Sequence, residues 1–189
     1  CMTKEYDWWL WDNPQLDSQQ IKDINKLIDN KFTDFEPSEY GAKDGLTGRP
    51  LKNIKPKNIA MKHLLDTPIF DMICLAEKTI NETFGYHLFP INKWDKLLHN
   101  RYSSDIQGYY GVHADGSRSD IYDIKMTLLI NLSEGDYGGG DLIINGKTAP
   151  FREPGSMLFF KSHLLHEVTP VTSGERITLT HFFTGPRYR

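Results

Sequence analysis

Residues 157–183, MLFFKSHLLHEVTPVTSGERITLTHFF, decide the fold, because they break into short β-rich runs at 157–160, 165–168 and 176–183. In the last run Arg176, Thr178, Thr180 and Phe182 alternate with Ile177, Leu179, His181 and Phe183, which puts each set on one face of a strand. Working back from this stretch, similar runs fall at 93–102, 109–113, 122–132, 141–144 and 148–151, separated by Gly, Asp, Asn and Pro. About eight strands at this spacing predict a sandwich or jelly roll, not a parallel α/β sheet.

Upstream the period changes to that of a helix. Ile21, Ile24, Leu27, Ile28 and Phe32 share one helical face, with Asp17 or Ser18 as N-cap. Residues 66–85, DTPIFDMICLAEKTINETFG, carry Asp66 or Thr67 as cap, Pro68 in the first turn and Gly85 as the stop. Ile69, Phe70, Ile73, Ala76, Ile80 and Phe84 form the expected buried stripe. The fold class is therefore mainly β with flanking helices, the helices packed on one sheet of a jelly roll. Residues 41–56 show no sustained period and read as a loop or extended excursion. Six Lys/Arg at 43–62 against one acid, Asp44, suit a solvated surface or a docking face for an acidic partner.

A chain of 189 residues, 39% hydrophobic, suits a single domain over 1–189, with helical support to about residue 90 and a β core over 91–189. The formal charge of -3 disfavours a polyanionic partner such as nucleic acid. Cys1 precedes Met2 and reads as a remnant ahead of the natural start, so Cys74 alone offers neither disulfide framework nor cysteine metal site. The N-terminus is acidic where a signal peptide is basic, and no apolar stretch approaches the ~18 residues of a membrane span. A soluble, cytoplasmic protein is expected.

His113 and Asp115 stand two apart, so in a strand both point to one side. Alone the pair means little, since 7 His and 25 acids in 189 residues yield about one chance His-x-acid match. A second imidazole can return from a distant strand: His166 lies in LLHEVTPV, and Arg176 opens the last strand ten residues on. Two His and one carboxylate on one face of an octahedron are the facial triad of non-haem iron(II) oxygenases, with three positions left open. His163 is the rival ligand, on the opposite face. His63, His87, His99 and His181 lack a partner at ligand spacing and read as surface or packing residues. The cluster Trp8, Trp9 and Trp11 reads as core rather than as a sugar platform. Gly138 to Gly140 read as a tight connection between strands and not as a phosphate cradle, since no helix follows them.

YGVHAD at 110–115, LLINLSEGDYGGGDLII at 128–144 and PGSMLFFKSHLLHEVTPVTSGERITLTHFF at 154–183 together resemble the iron(II)- and 2-oxoglutarate-dependent dioxygenases, within them the prolyl 4-hydroxylase-like group. The resemblance spans about half the chain and implies a double-stranded β-helix. It implies His113, Asp115 and His166 as iron(II) ligands and Arg176 as partner of the distal carboxylate of 2-oxoglutarate, a task that suits a planar guanidinium fork. Thr178 would add a hydroxyl to that carboxylate. Tyr102 matches an upstream tyrosine that bonds 2-oxoglutarate, although SSDIQG makes the following gap longer than in the family. Tyr110 falls where the group places a substrate-contacting tyrosine, and Phe182, where relatives often carry Trp, would wall the substrate side.

The implied reaction hydroxylates an aliphatic C–H bond with O2, releases succinate and CO2, and can draw on ascorbate as reductant. A peptide or protein proline is the first substrate implied, a free amino acid or other small molecule the second. Asp115 separates the chain from halogenases of this fold, which lack the carboxylate. A nucleic-acid demethylase would carry a further arginine at the Phe182 position, and a cupin two histidines two apart with a glutamate. A sensor keeping metal and oxo-acid without turnover has the same ligand set. Oligomeric state is not legible.

Overall fold

The computed structural model of the protein describes residues 2–4, 7–31, 50–115 and 122–187. The larger sheet has the spatial order Met2–Lys4 (β1), Trp8–Trp11 (β2), Met157–Lys161 (β11), Tyr122–Asn131 (β7), Glu175–Pro186 (β14), Lys96–Ser103 (β5) and Lys55–Ala60 (β4). The smaller runs Lys147–Ala149 (β10), Leu142–Ile144 (β9), His166–Val168 (β12), Tyr109–His113 (β6) and Lys52–Asn53 (β3). Val171–Ser173 (β13) pairs with Gly138–Gly139 (β8). Neighbouring strands are antiparallel.

Helices Ser18–Lys31 (α1) and Ile69–Phe84 (α2) cover the outer face of the larger sheet. Asp17 and Gln20 close α1 with a reciprocal capping box: Gln20 N donates to Asp17 Oδ1 at 2.8 Å and Asp17 N to Gln20 Oε1 at 2.9 Å. Gly85 ends α2 at φ 60°, a left-handed conformation that glycine adopts without strain. Met72 joins the expected stripe, while Phe70 and Phe84 are only partly buried. Phe32 lies outside the described residues.

Strand alternation divides the interior in two. Met126, Leu128 and Ile130 of β7 and Ile177, Leu179 and Phe183 of β14 face the helices, whereas Leu129 joins Leu142, Ile144, Phe160 and Val168 between the sheets. β2 is buried on both faces, Trp9 and Trp11 toward the helices and Trp8 and Leu10 toward the smaller sheet, so WWLW shows no alternation. Trp9 stacks on Phe159 with ring centroids 5.2 Å apart.

The N-terminal half contributes more than helical support, since β1 to β4 extend both sheets. Of the segment read as loop, residues 41–49 lie outside the described residues, and residues 52–60 form β3 and β4. β4 is an edge strand, where Pro56 removes no ladder bond that matters and lysines deter further pairing, which is why it lacks the alternation of a central strand. Gly139 (φ 65°) and Gly140 (φ 63°) make the expected tight connection, and a Cβ on Gly139 would stand 2.1 Å from Pro170 O. Among the described residues no helix is long and apolar enough to cross a membrane.

His99, fully buried on β5, ties α1 to the sheet. Asn25 Nδ2 donates to Leu132 O and Glu134 Oε1, which leaves Asn25 Oδ1 to accept from His99 Nε2 at 2.9 Å. Burial, assisted by the charge of Arg101, pushes His99 from 6.5 down to about 3, and burial pushes His181 down to about 4. Both rings are neutral in the fold and protonate when the chain unfolds below pH 6.5. Their contribution is complete above that pH and is lost as pH falls toward the folded values. Urea midpoints should drop between pH 6.5 and 4, and His99→Gln should flatten that slope by up to about 1.4 kcal/mol per pH unit; an unchanged slope would contradict the neutral buried ring.

Candidate functional site

β12 lies beside β6 with His166 opposite His113, their ring centroids 4.1 Å apart. Asp115 follows two residues after His113, fixed by its N–H to Ser162 O at 2.9 Å. Its Oδ1 is 3.7 Å from His113 Nε2 and its Oδ2 is 3.3 Å from His166 Nε2. Each Nδ1 meets a backbone carbonyl, Gly111 O at 2.7 Å for His113 and Leu164 O at 3.0 Å for His166. The carbonyls hold both rings so that each Nε2 faces the carboxylate, the orientation that metal-binding imidazoles need. The three residues could hold one metal ion, their ligand atoms lying within 4.8 Å of one another.

Neighbouring side chains hold these groups in place. Thr127 Oγ1 donates to Asp115 Oδ2 at 2.8 Å and accepts from the Ser162 hydroxyl at 3.0 Å. Tyr110 stacks on His113 at 3.6 Å between centroids, and Phe160 meets His166 edge-on at 4.6 Å. Burial works to raise the Asp115 carboxyl, but the hydrogen bond and charge of His166, the charge of His113 and the Thr127 hydroxyl outweigh it and hold it below its ordinary 3.8. Asp115 is therefore ionised at neutral pH.

These residues open into a cavity of about 240 Å³ between the sheets. β14 contributes Arg176, Thr178, Thr180 and Phe182, and its partner β5 places Tyr102, Asn100 and Leu98 opposite the first three. Arg176 is 1% exposed, and its Nε and Nη2 have no hydrogen-bond partner among the described residues. Its guanidinium carbon lies 4.8 Å over the Tyr102 ring. Burial pushes the Tyr102 phenol up while the Arg176 charge works against it, so the hydroxyl keeps its proton as a donor. Gly140 backs the arginine, since an added Cβ would stand 3.1 Å from Arg176 Cδ. A buried guanidinium with unmatched N–H groups is costly unless an anion completes it. The donor set thus fits a divalent metal and, beside it, a carboxylate ligand.

The structure brings His113, Asp115, His166, Arg176, Tyr102, Thr178, Tyr110 and Phe182 to this one cavity. His163 is exposed and apart from it, and His63, His87, His99 and His181 do not line it. The extra length of SSDIQG is taken up by a 3₁₀ turn at Ser104–Ile106 and a left-handed Gln107, so Tyr102 keeps its place. Asn100 was missed, although it stands two residues before Tyr102 on the same strand face; its buried Oδ1 has no partner among the described residues. Lys52, Ile54, Pro56 and Asn58 also line the cavity, and no local pattern marked them.

The sequence model of the 2OG-Fe(II) oxygenase superfamily matches residues 97–184. A PKHD-type hydroxylase of Parvibaculum lavamentivorans is 32% identical over 162 residues, covering 80% of this chain and 68% of that protein. The chain belongs to the 2OG-Fe(II) oxygenase superfamily. It is thus an iron(II)- and 2-oxoglutarate-dependent dioxygenase, and its fold is the family's double-stranded β-helix. A Pseudomonas putida prolyl-4-hydroxylase shares that fold with TM-score 0.65 at 18% identity, covering 96% of this chain and 94% of that one. A viral collagen prolyl hydroxylase from Paramecium Bursaria Chlorella virus-1 does so with TM-score 0.67 at 19% identity, covering 94% and 96%. Lys52, Ile54, Pro56 and Asn58 of the cavity lie outside the region that the superfamily model matches.

An unmatched buried charge makes a stability prediction. In the absence of 2-oxoglutarate, Arg176→Met should leave the unfolding free energy measured in urea unchanged or raise it by up to about 4 kcal/mol; a clear loss would show that the guanidinium is already compensated within the protein.

Proposed function

We propose that this oxygenase hydroxylates a prolyl residue within a peptide or protein. In this reading His113, Asp115 and His166 hold iron(II), Arg176 takes the distal carboxylate of 2-oxoglutarate with help from Tyr102 and Thr178, and Tyr110 and Phe182 border the substrate. The observation that carries it is the buried Arg176 guanidinium, left without an anion in the same cavity as the His-Asp-His set. The prolyl hydroxylase fold of the neighbours and the hydroxylase name of the relative support the substrate class.

Iron(II), once bound, supplies the activation of O2 that splits 2-oxoglutarate into succinate and CO2 and puts one oxygen atom into an aliphatic C–H bond. The chain supplies position and charge. Asp115, ionised and hydrogen-bonded to Thr127, offsets part of the metal charge. The Arg176 fork matches a carboxylate through two parallel N–H bonds, and protonated Tyr102 adds a donor beside it. Leu129, Leu142 and Val168 form an apolar wall that limits water around the reacting carbon. Walls drawn from both halves of the chain support reading 1–189 as one domain. The unpaired thiol of Cys74 supports a reducing, cytoplasmic setting.

His113→Ala and Asp115→Ala should abolish 2-oxoglutarate consumption even without substrate, and unchanged succinate release from either would refute the ligand set. Arg176→Ala should weaken 2-oxoglutarate by about 3 kcal/mol, on the order of a hundredfold, whereas Thr178→Val should cost about 1 kcal/mol. Anaerobic titration reads both, and equal affinities across the three proteins would remove the anion role. Incubation with prolyl peptides and with free amino acids should give a mass gain of one oxygen atom on the peptides. Gain on free amino acids alone would overturn the peptidyl reading.

A further inference from the structure

A second cavity, of about 480 Å³, opens beside the first and shares Asn58, Leu98 and Phe182 with it. Its outer wall is the segment joining α2 to β5, which brings Phe89, Pro90, Ile91 and Trp94 against the end of β14. Phe89 N donates to Thr184 O at 2.8 Å, fastening this segment to β14 beyond Leu98, the last β5 partner in register. Asn92 and Asp95 bond to each other, Asn92 Nδ2 to Asp95 Oδ1 at 2.7 Å, and Trp94 N donates to Asn92 Oδ1 at 2.9 Å. The turn is therefore held from within.

Two features of this cavity ask for a guest. Trp94 is 62% exposed and Phe89 41%, large apolar area left open at its mouth while Trp8, Trp9 and Trp11 are all buried. The Trp94 ring is steadied by the ammonium groups of Lys62 and Lys93, 4.6 Å and 5.3 Å from its centroid. Asn58, Asn92, Asp95 and Thr184 add polar groups to its lining. Aromatic walls with a few polar groups are the usual make-up of a specific side-chain pocket.

We propose that this second cavity is a specificity subsite: it receives a large apolar side chain of the residue flanking the hydroxylated one in the same peptide. The occupant follows from continuity, because Phe182 is a wall of both cavities and a chain leaving the first past Phe182 enters the second. A single prolyl ring at the metal cannot also fill the larger space, so the second cavity serves a substrate that extends beyond its reacting residue. The inference rests on the peptidyl reading above.

The test uses the protein loaded with iron(II) and 2-oxoglutarate and a series of blocked peptides, a central Pro flanked by Ala, with Phe placed at each flanking position in turn. One position should raise kcat/KM about tenfold, chiefly through KM, the scale of a ~1.4 kcal/mol anchor. Trp94→Ala and Phe89→Ala should erase that preference while leaving 2-oxoglutarate consumption without peptide unchanged. Equal rates across the series, or a preference that survives both variants, would overturn the subsite. Trp94 is also the exposed one of the four tryptophans, so its emission should move to shorter wavelength when the Phe peptide binds anaerobically, and Trp94→Phe should abolish that change. If no peptide gains oxygen, the peptidyl hydroxylase reading fails, and fluorescence then decides the subsite alone: a shift specific to Phe peptides upholds it, and none sinks it.

Discussion

β14 does two jobs on alternate residues, and the rest of the structure depends on both being met at once. Ile177, Leu179 and Phe183 seal the helix-side core, while Arg176, Thr178, Thr180 and Phe182 face the cavity. The strand lies between β7 and β5 in the larger sheet, so its register is held from both edges. A slip of one residue would send a guanidinium into the helix layer and two aliphatic side chains into the cavity. The packing that stabilises the sheet is thus the same constraint that aims the polar groups.

Charge in the cavity follows from that geometry. Asp115 stays ionised although burial opposes it, because two imidazoles and a threonine hydroxyl surround it. Arg176 stays charged for want of any alternative and lacks an anion to match it. One negative and one positive group, held apart across one space, define separate places for a cation and for a carboxylate. That arrangement costs stability in the absence of ligands and gives the site its affinity in their presence. Phe182 closes this space on one side and opens another on its far side, so the choice of aromatic there bears on how a longer substrate runs.

Much of this was legible in the chain. The β alternation at 176–183, the helical stripe before Gly85 and the ordered spacing of His113, Asp115, His166 and Arg176 are local or nearly local patterns, and the structure assembles those residues as their periods require. What escaped was of a different kind. β3 and β4 carry Pro and Lys because they sit at sheet edges, and edge position is not written in a strand's own period. β2 hides both faces and so has no alternation to read. Asn100 needed only the two-residue step from Tyr102, whereas Lys52, Pro56 and Asn58 reach the cavity through pairings with residues far along the chain, Tyr110, Asn100 and Leu98.

By itself the sequence determined which side chains share a strand face, where the two helices stop and which residue types could bind a metal and an oxo-acid, because these depend on backbone periodicity and side-chain chemistry. Only the tertiary structure decided that His166 stands opposite His113, that Arg176 is sealed without an anion, and that a second cavity continues from the first past Phe182. Those facts are set by strand pairing between distant segments and by burial, and neither is a property of any local stretch of chain.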